Sequence, residues 1–277
     1  MSYPQGSDLH KFTETLHHDT YDFISPLHAN LAGKAVFVTG ASRGIGKEAA
    51  LSFARAGASG IAIGARTSLA SVEAEVQGEA KAAGHPAPKV VSVELDVTDV
   101  KSVDAAIQRI RQEFGRLDIL INNAVWEINI KGTYLVTRAA IPLLLDTPNG
   151  LKTIVNVSSV AAHYIRPASS PYQTSKLALL RFTEFIMAEY GDKGVLAYGV
   201  HPGGVLTEMG KKLPKELQGV LQDTPTLAAD SFVWLTKERR EWLSGRYISV
   251  NWDMKEFAEK KEEIVKKDLL KVRLILQ

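Results

Sequence analysis

The chain contains no cysteine. Disulfides, thiolate nucleophiles, cysteine-held zinc and iron–sulfur clusters are therefore excluded. It also lacks an excess of charge of either sign: 33 Lys and Arg stand against 31 Asp and Glu, a formal net charge of +2, with no long basic block. Nucleic acid and anionic membrane surfaces are accordingly poor partners. No apolar run is long enough to span a bilayer, and residues 1–12 (MSYPQGSDLHKF) lack the basic-then-apolar pattern of a secretory signal. The expectation is a cytoplasmic protein with no membrane or nucleic-acid partner. His10, His17, His18 and His28 crowd the start of the chain, but no H-E-x-x-H occurs anywhere, so no metal is expected.

What is present is an ordinary globular composition, 45% hydrophobic and 23% charged over 277 residues. Residues 1–32 are polar and lack a sustained apolar period, which reads as an arm. From Lys34 the pattern changes. Short apolar runs at Ala35–Thr39, Ile61–Gly64, Val90–Asp96, Asp118–Asn122, Thr153–Ser158, Val195–His201 and Tyr247–Val250 read as strands. Between them lie helical patterns: an alanine-rich one ending near Gly57, Ser71–Ala83, the segment after Thr98, Trp126–Leu145, Tyr172–Tyr190, and one opened by Thr224-Pro225. Such alternation predicts an α/β fold with a doubly wound parallel sheet (a Rossmann fold), about seven strands in a single domain over residues 33–252. Residues 253–277 read as a charged helix and tail. Trp126, Trp234, Trp242 and Trp252 read as core or interface fillers.

Thr39-Gly-Ala-Ser-Arg-Gly-Ile-Gly46 joins the first strand to the first helix. Glycines at 40, 44 and 46 would let the backbone turn tightly and approach a pyrophosphate, which then meets the free N–H groups of the helix. The same residues spell Gly40-Ala41-Ser42-Arg43-Gly44, the pattern of a serine-hydrolase elbow, with His85, His163 and His201 downstream. Against a hydrolase, Gly46 is unnecessary to an elbow, and the loop follows the first strand. At the end of the second strand, where an acid would accept the ribose hydroxyls of NAD, the sequence reads Gly64-Ala65-Arg66. Arg66 and Arg43 offer two cations to a 2′-phosphate, which favours NADP(H) over NAD(H).

Tyr172 and Lys176 stand four apart on one face of a predicted helix, and Ser159 lies thirteen residues upstream at a strand end. A free phenol titrates near 10 and moves protons poorly at neutral pH; an adjacent ammonium should lower that value. The tuned phenol could then exchange a proton with a substrate oxygen that Ser159 also holds, while a nicotinamide carries hydride.

With these pieces in place the chain resembles a short-chain dehydrogenase/reductase over residues 31–252, similar to the fungal oxidoreductases of that family. The matching motifs are TGASRGIG at 39–46, Asp96-Val97, Asn122-Asn123-Ala124, Asn129, Val157-Ser158-Ser159, Tyr172-Gln-Thr-Ser-Lys176, and Pro202-Gly203 followed by Thr207. The resemblance implies a carbonyl/alcohol oxidoreductase acting on a small molecule, with Ser159, Tyr172, Lys176 and Asn129 as its catalytic set. It also implies that Gly40, Ser42, Arg43, Gly44, Ile45, Gly46 and Arg66 bind the cofactor. Asp96 and Val97 would flank the adenine, and Asn122 and Ala124 would lie beneath the cofactor. Asn129 would hold a relay water through its main-chain carbonyl. Lys176 would hold the nicotinamide ribose, and Pro202, Gly203 and Thr207 would meet the carboxamide end. A substrate lid is implied between Leu206 and Asp223, and a homo-oligomer paired through a long helix.

One departure accompanies the resemblance. The family continues Asn-Asn-Ala with Gly, then a loop and early helical turns; here Val125 follows, and only six residues separate Asn122 from Asn129. Val125 cannot take glycine-only backbone angles, and a missing wall would admit water to the substrate side. A catalytically impaired, NADP-binding variant with a weakened oligomer is therefore carried as an alternative.

Overall fold

The computed structural model describes residues 11–123, 130–208, 210–212 and 215–274. A strand that does not alternate must be covered on both faces, and all five residues of β1 (Ala35–Thr39) are buried. The same holds along β2 (Gly60–Ala65). β3 (Lys89–Glu94) alternates buried with exposed positions, as an edge strand can. β4 (Ile119–Asn122), β5 (Thr153–Val157), β6 (Leu196–His201) and β7 (Tyr247–Ser249) are buried throughout. All neighbours pair in parallel, in the order β3-β2-β1-β4-β5-β6-β7. This is the expected seven-stranded, doubly wound sheet.

The helices are α1 (Gly44–Arg55), α2 (Ala70–Ala82), α3 (Val100–Phe114), α4 (Lys131–Asp146), α5 (Ser170–Tyr190), α6 (Lys215–Gln218), α7 (Pro225–Thr236), α8 (Met254–Glu259) and α9 (Lys261–Lys266). Because side chains alternate along a strand, β1 feeds both layers. Val36 and Val38 join Phe53 of α1, Val72 of α2 and Phe232 of α7. Phe37 joins Ile110 of α3, Leu135 of α4 and Ile186 of α5 on the other side.

Local chemistry sets the ends. Asp99 caps α3 by accepting from Ser102 N, and Gly115, at φ +68°, stops it. α7 opens on Thr224, whose hydroxyl accepts from Leu227 N, with Pro225 in the first turn. α5 begins at Ser170 rather than the expected Tyr172, because Pro171 fits a helix's first turn. β3 stops at Glu94, short of the expected Asp96, whose carboxylate instead accepts from the Thr98 amide and hydroxyl. The expected helix start at Trp126 lies outside the described residues; the described part begins at Lys131.

Residues 11–32 form two short 3-10 turns, Asp22–Ile24 and Pro26–His28. They lie against the far end of the chain. The Phe12 ring is 5.0 Å from Trp252 and 6.0 Å from Phe257, and Leu16 bridges Trp252 in antiparallel fashion. Among the described residues, no helix is long and apolar enough to cross a membrane.

Asp118, fully buried, ties three strands together where they begin. It accepts from Ala35 N at 2.9 Å and from both nitrogens of an Arg116 fork at 2.8 Å, while its own amide and carbonyl pair with Ala35 O and Thr153 N. Removing its carboxylate strands a half-exposed guanidinium and the amides of Ala35 and Leu151. Asp118→Ala is expected to cost about 3 kcal/mol, measured as a lower urea midpoint at unchanged slope.

Candidate active site

The glycine loop lies where β1 ends. Gly40 has φ +65° and Gly44 φ +57°, both in the left-handed region that glycine tolerates. A Cβ on Gly40 would stand 2.3 Å from Asn123 O, and one on Gly46 would stand 2.3 Å from Gly40 O. The loop is thus packed against β4's exit with no space for a side chain at positions 40 and 46. Asn123 stitches the two together: its amide donates to the Thr39 hydroxyl at 3.1 Å, and its Nδ2 to Thr39 O and Gly40 O at 3.3 Å. Arg43 stands at the N-cap of α1 without a side-chain cap, and the first amides of a helix have no intrahelical acceptor. Gly44, Ile45 and Gly46 supply those amides. This cradle fits a dinucleotide pyrophosphate. Ser42 is half-buried in the loop and Arg43 is exposed.

The proton-handling side chains come from β5 and α5. Ser159 follows β5 and caps a 3-10 turn, accepting from Ala161 N at 3.1 Å, and its hydroxyl also bonds the Tyr172 phenol. Tyr172 lies in the first turn of α5 and Lys176 one turn further on. Lys176 is 4% exposed; its Nζ donates to Val157 O at 2.9 Å and lies 5.8 Å from the centre of the Tyr172 ring. Burial lowers its pKa to about 8. The phenol behaves otherwise than the sequence suggests. Desolvation pushes the Tyr172 pKa up, and the Ser159 hydrogen bond offsets this in part.

A buried polar rail runs beneath these groups. Asn122 Nδ2 donates to Thr137 Oγ1 and Asn156 Oδ1, both at 2.9 Å; Asn156 Nδ2 donates to Thr183 Oγ1 at 3.0 Å on α5. Asn122 Oδ1 is buried with no hydrogen-bond partner among the described residues. Sequence reasoning missed Asn123, Asn156, Thr137 and Thr183 as site supports. Only the adjacency of β1, β4 and β5 reveals them.

The remaining expected residues sit along the same edge of the sheet. Arg66 directly follows β2, is exposed, and lines a cleft of about 250 Å³ with Thr67, Ser68, Ser92 and Glu94. Asp96 and Val97, half-buried, follow β3; the Thr98 hydroxyl and amide, with Arg66 nearby, hold the Asp96 carboxyl below its usual range. Buried Pro202 and Gly203 (φ +81°) follow β6, and the Thr207 methyl lies 3.6 Å from where a Gly44 Cβ would be. Ala124 and Asn129 lie outside the described residues. Two of the histidines named for a hydrolase make other contacts. His85 packs on Gly57 at the far end of α1, His163 meets the Tyr247 ring edge-on at 4.4 Å, and no described hydrogen bond joins Ser42 to a histidine.

A family model described as short chain dehydrogenase matches residues 34–218. The chain belongs to the short-chain dehydrogenase/reductase family and is an oxidoreductase. Among its relatives, the short chain dehydrogenase citE of Monascus ruber is 48% identical over the whole of both chains. The short chain dehydrogenase pigC of the same organism is 44% identical over 98% of this chain and 96% of its own. In fold, the chain is similar to the crystal structure of 3-oxoacyl-[acyl-carrier protein] reductase from Brucella melitensis in complex with NAD. The TM-score is 0.70 at 23% identity, over 79% of this chain and 95% of that one. The alignment with citE spans 295 positions against 277 residues here, so at least 18 positions of that relative face no residue of this chain.

Gly46→Ala puts a methyl 2.3 Å from Gly40 O and 2.5 Å from Asn123 Nδ2. It is expected to weaken NAD(P)H binding at least about tenfold, because backbone cannot yield there cheaply. In contrast, Gly78→Ala on α2, with nothing within 4 Å, is expected to leave binding unchanged. Titration of NAD(P)H fluorescence reads both.

Proposed function

We propose that this enzyme is NADP(H)-dependent and interconverts a carbonyl and an alcohol on a small molecule, with Tyr172 as the acid/base. The observation that carries the reading is the convergence of Ser159, Tyr172 and a 4%-exposed Lys176 at the sheet edge that also holds the glycine loop. The nicotinamide, when bound, supplies or accepts the hydride. Ser159 holds the substrate oxygen and the phenol together. Tyr172 passes its proton to that oxygen in reduction and takes it back in oxidation. Lys176 keeps a positive charge beside the ring, which favours the phenolate as it forms, and also holds the ribose hydroxyls. In this reading Asn129 completes the set by steadying a relay water. Gly40, Ser42, Gly44, Ile45 and Gly46 bind the pyrophosphate, Asp96 and Val97 flank the adenine, and Asn122 and Ala124 lie beneath the cofactor. Pro202, Gly203 and Thr207 meet the nicotinamide end.

NADP(H) over NAD(H) rests on charge. The end of β2 offers Arg66 where an acid would repel a 2′-phosphate, and Arg43 is exposed at the start of α1. The exposed Tyr134, Leu177 and Phe185 on α4 and α5 support pairing with a second copy. A cytoplasmic setting belongs to the same reading, as does the division into an arm (1–32), a nucleotide-binding domain (33–252) and a charged tail (253–277).

A second reading is a chain that binds the dinucleotide and turns substrate over slowly. Two observations favour it: eight residues connect Asn122 to Lys131, and the citE alignment is 18 positions longer than this chain. Assay against a panel of aldehydes and ketones, beside a chain with a family-length segment restored after Ala124, separates the two. Equal turnover by both chains dismisses the second reading.

Tyr172→Phe is expected to lower kcat by at least about 100-fold with NADPH affinity retained; wild-type turnover in that variant would remove the phenol from the mechanism. Since burial brings Lys176 to about 8, reduction should hold below that pH and decline above it as the ammonium loses its proton. Arg66→Ala is expected to weaken NADPH binding about tenfold and leave NADH unchanged. Equal losses for both nucleotides would argue against a 2′-phosphate contact.

A further inference from the structure

β6 ends at His201, and the chain turns through Pro202 and Gly203 into residues 206–222 before returning at Asp223 to start α7. The two stems of this excursion are joined at their base. Val205 and Asp223 form a parallel bridge, and Asp223 N donates to Gly204 O at 3.0 Å. The Asp223 carboxylate is buried and both its oxygens are used: Oδ2 accepts from Gly204 N, and Oδ1 accepts from Nδ1 of His18 at 2.5 Å. The segment ahead of β1 grips the returning stem twice more. Thr224 N donates to His18 O at 2.9 Å, and the Thr224 hydroxyl to Asp19 Oδ1 at 2.6 Å. The carboxylate also sets the path of the turn, since a Cβ on Gly203 would stand 2.6 Å from Asp223 Oδ2. Two residues beyond the bridge, Thr207 lies against Gly44 of the cofactor cradle.

A buried carboxylate is tolerated only while its oxygens are bonded. Among the described side chains, His18 is the donor to Asp223. Without it, the readiest relief is for Asp223 to swing toward water, and that movement parts the two stems.

We propose that His18 is a positioning residue: through Asp223 it locks the base of the excursion between Val205 and Asp223, keeping Thr207 against the glycine-lined crevice where cofactor and substrate meet. This rests on the oxidoreductase reading above, in which substrate enters at that crevice. The residue that completes the site thus comes from the opposite end of the sequence.

The test compares the full chain with His18→Ala and His18→Asn, whose side-chain amide can donate from near the Nδ1 position. Two quantities are read: the rate of tryptic cleavage after the exposed Lys211, followed by mass spectrometry, and the KM and kcat with NADPH for whichever aldehyde or ketone the wild type reduces fastest. His18→Ala is expected to be cleaved about tenfold faster and to raise KM about tenfold with kcat within about twofold, and His18→Asn to restore both to within about threefold of wild type. Equal cleavage in wild type and His18→Ala overturns the proposal whatever the turnover. So does a fall in kcat at constant KM, or failure of His18→Asn to rescue. A wild-type chain inert toward every carbonyl would defeat the oxidoreductase reading instead, leaving the cleavage rates to judge the clamp.

Discussion

β1 and β4 are neighbours in the sheet, yet the chain leaves β1 toward β2 on one side and leaves β4 toward β5 on the other. The segments at their carboxyl ends are drawn apart, which opens a crevice between them. The glycine loop occupies one wall and Asn122-Asn123 the other. Their separation is fixed by close approach: the Gly40 and Gly46 backbones sit where any side chain would collide, and the Asn123 amide spans the gap to Thr39 O and Gly40 O. The crevice is therefore a consequence of strand order, with its walls held at close approach.

The chemistry on its far side depends on burial. Lys176 is carried into the interior by α5 and held by Val157 O, so its ammonium loses water and becomes easier to deprotonate. The same burial makes the Tyr172 phenol harder to ionise. In the proposed reaction, the phenol that keeps its proton is the group that delivers it to the substrate oxygen, beside an ammonium still charged below about pH 8. Beneath them the Asn122–Asn156–Thr183 rail joins β4, β5 and α5 through buried hydrogen bonds, which in a low-dielectric interior favour one arrangement strongly.

Both ends of the chain serve this edge of the sheet. Phe12, Trp252 and Phe257 pack together, His17 pairs with Asp253 at 2.9 Å, and Thr20 bonds Asp230 of α7. The polar segment before β1 is thus fastened along α7 and α8, beside the excursion from β6.

The order and type of the elements were legible in the sequence, because uninterrupted apolar runs such as Ala35–Thr39 suit only a strand covered on both faces. Helix ends were legible where a residue dictates backbone geometry, as with Thr224-Pro225. The motifs also named Ser159, Tyr172 and Lys176, which the fold gathers within a few ångströms, since their spacing follows one strand end and one helical turn. What the sequence did not disclose is long-range pairing. Nothing local marks Asn156 or Asp223, and His18 reads only as one of four histidines on a polar arm. The direction in which the Tyr172 pKa moves was also hidden, because it depends on how deeply the fold buries the phenol. Local periodicity records how a segment meets water, whereas hydrogen-bond partners more than two hundred residues apart and the desolvation of a single amine arise only once the layers close.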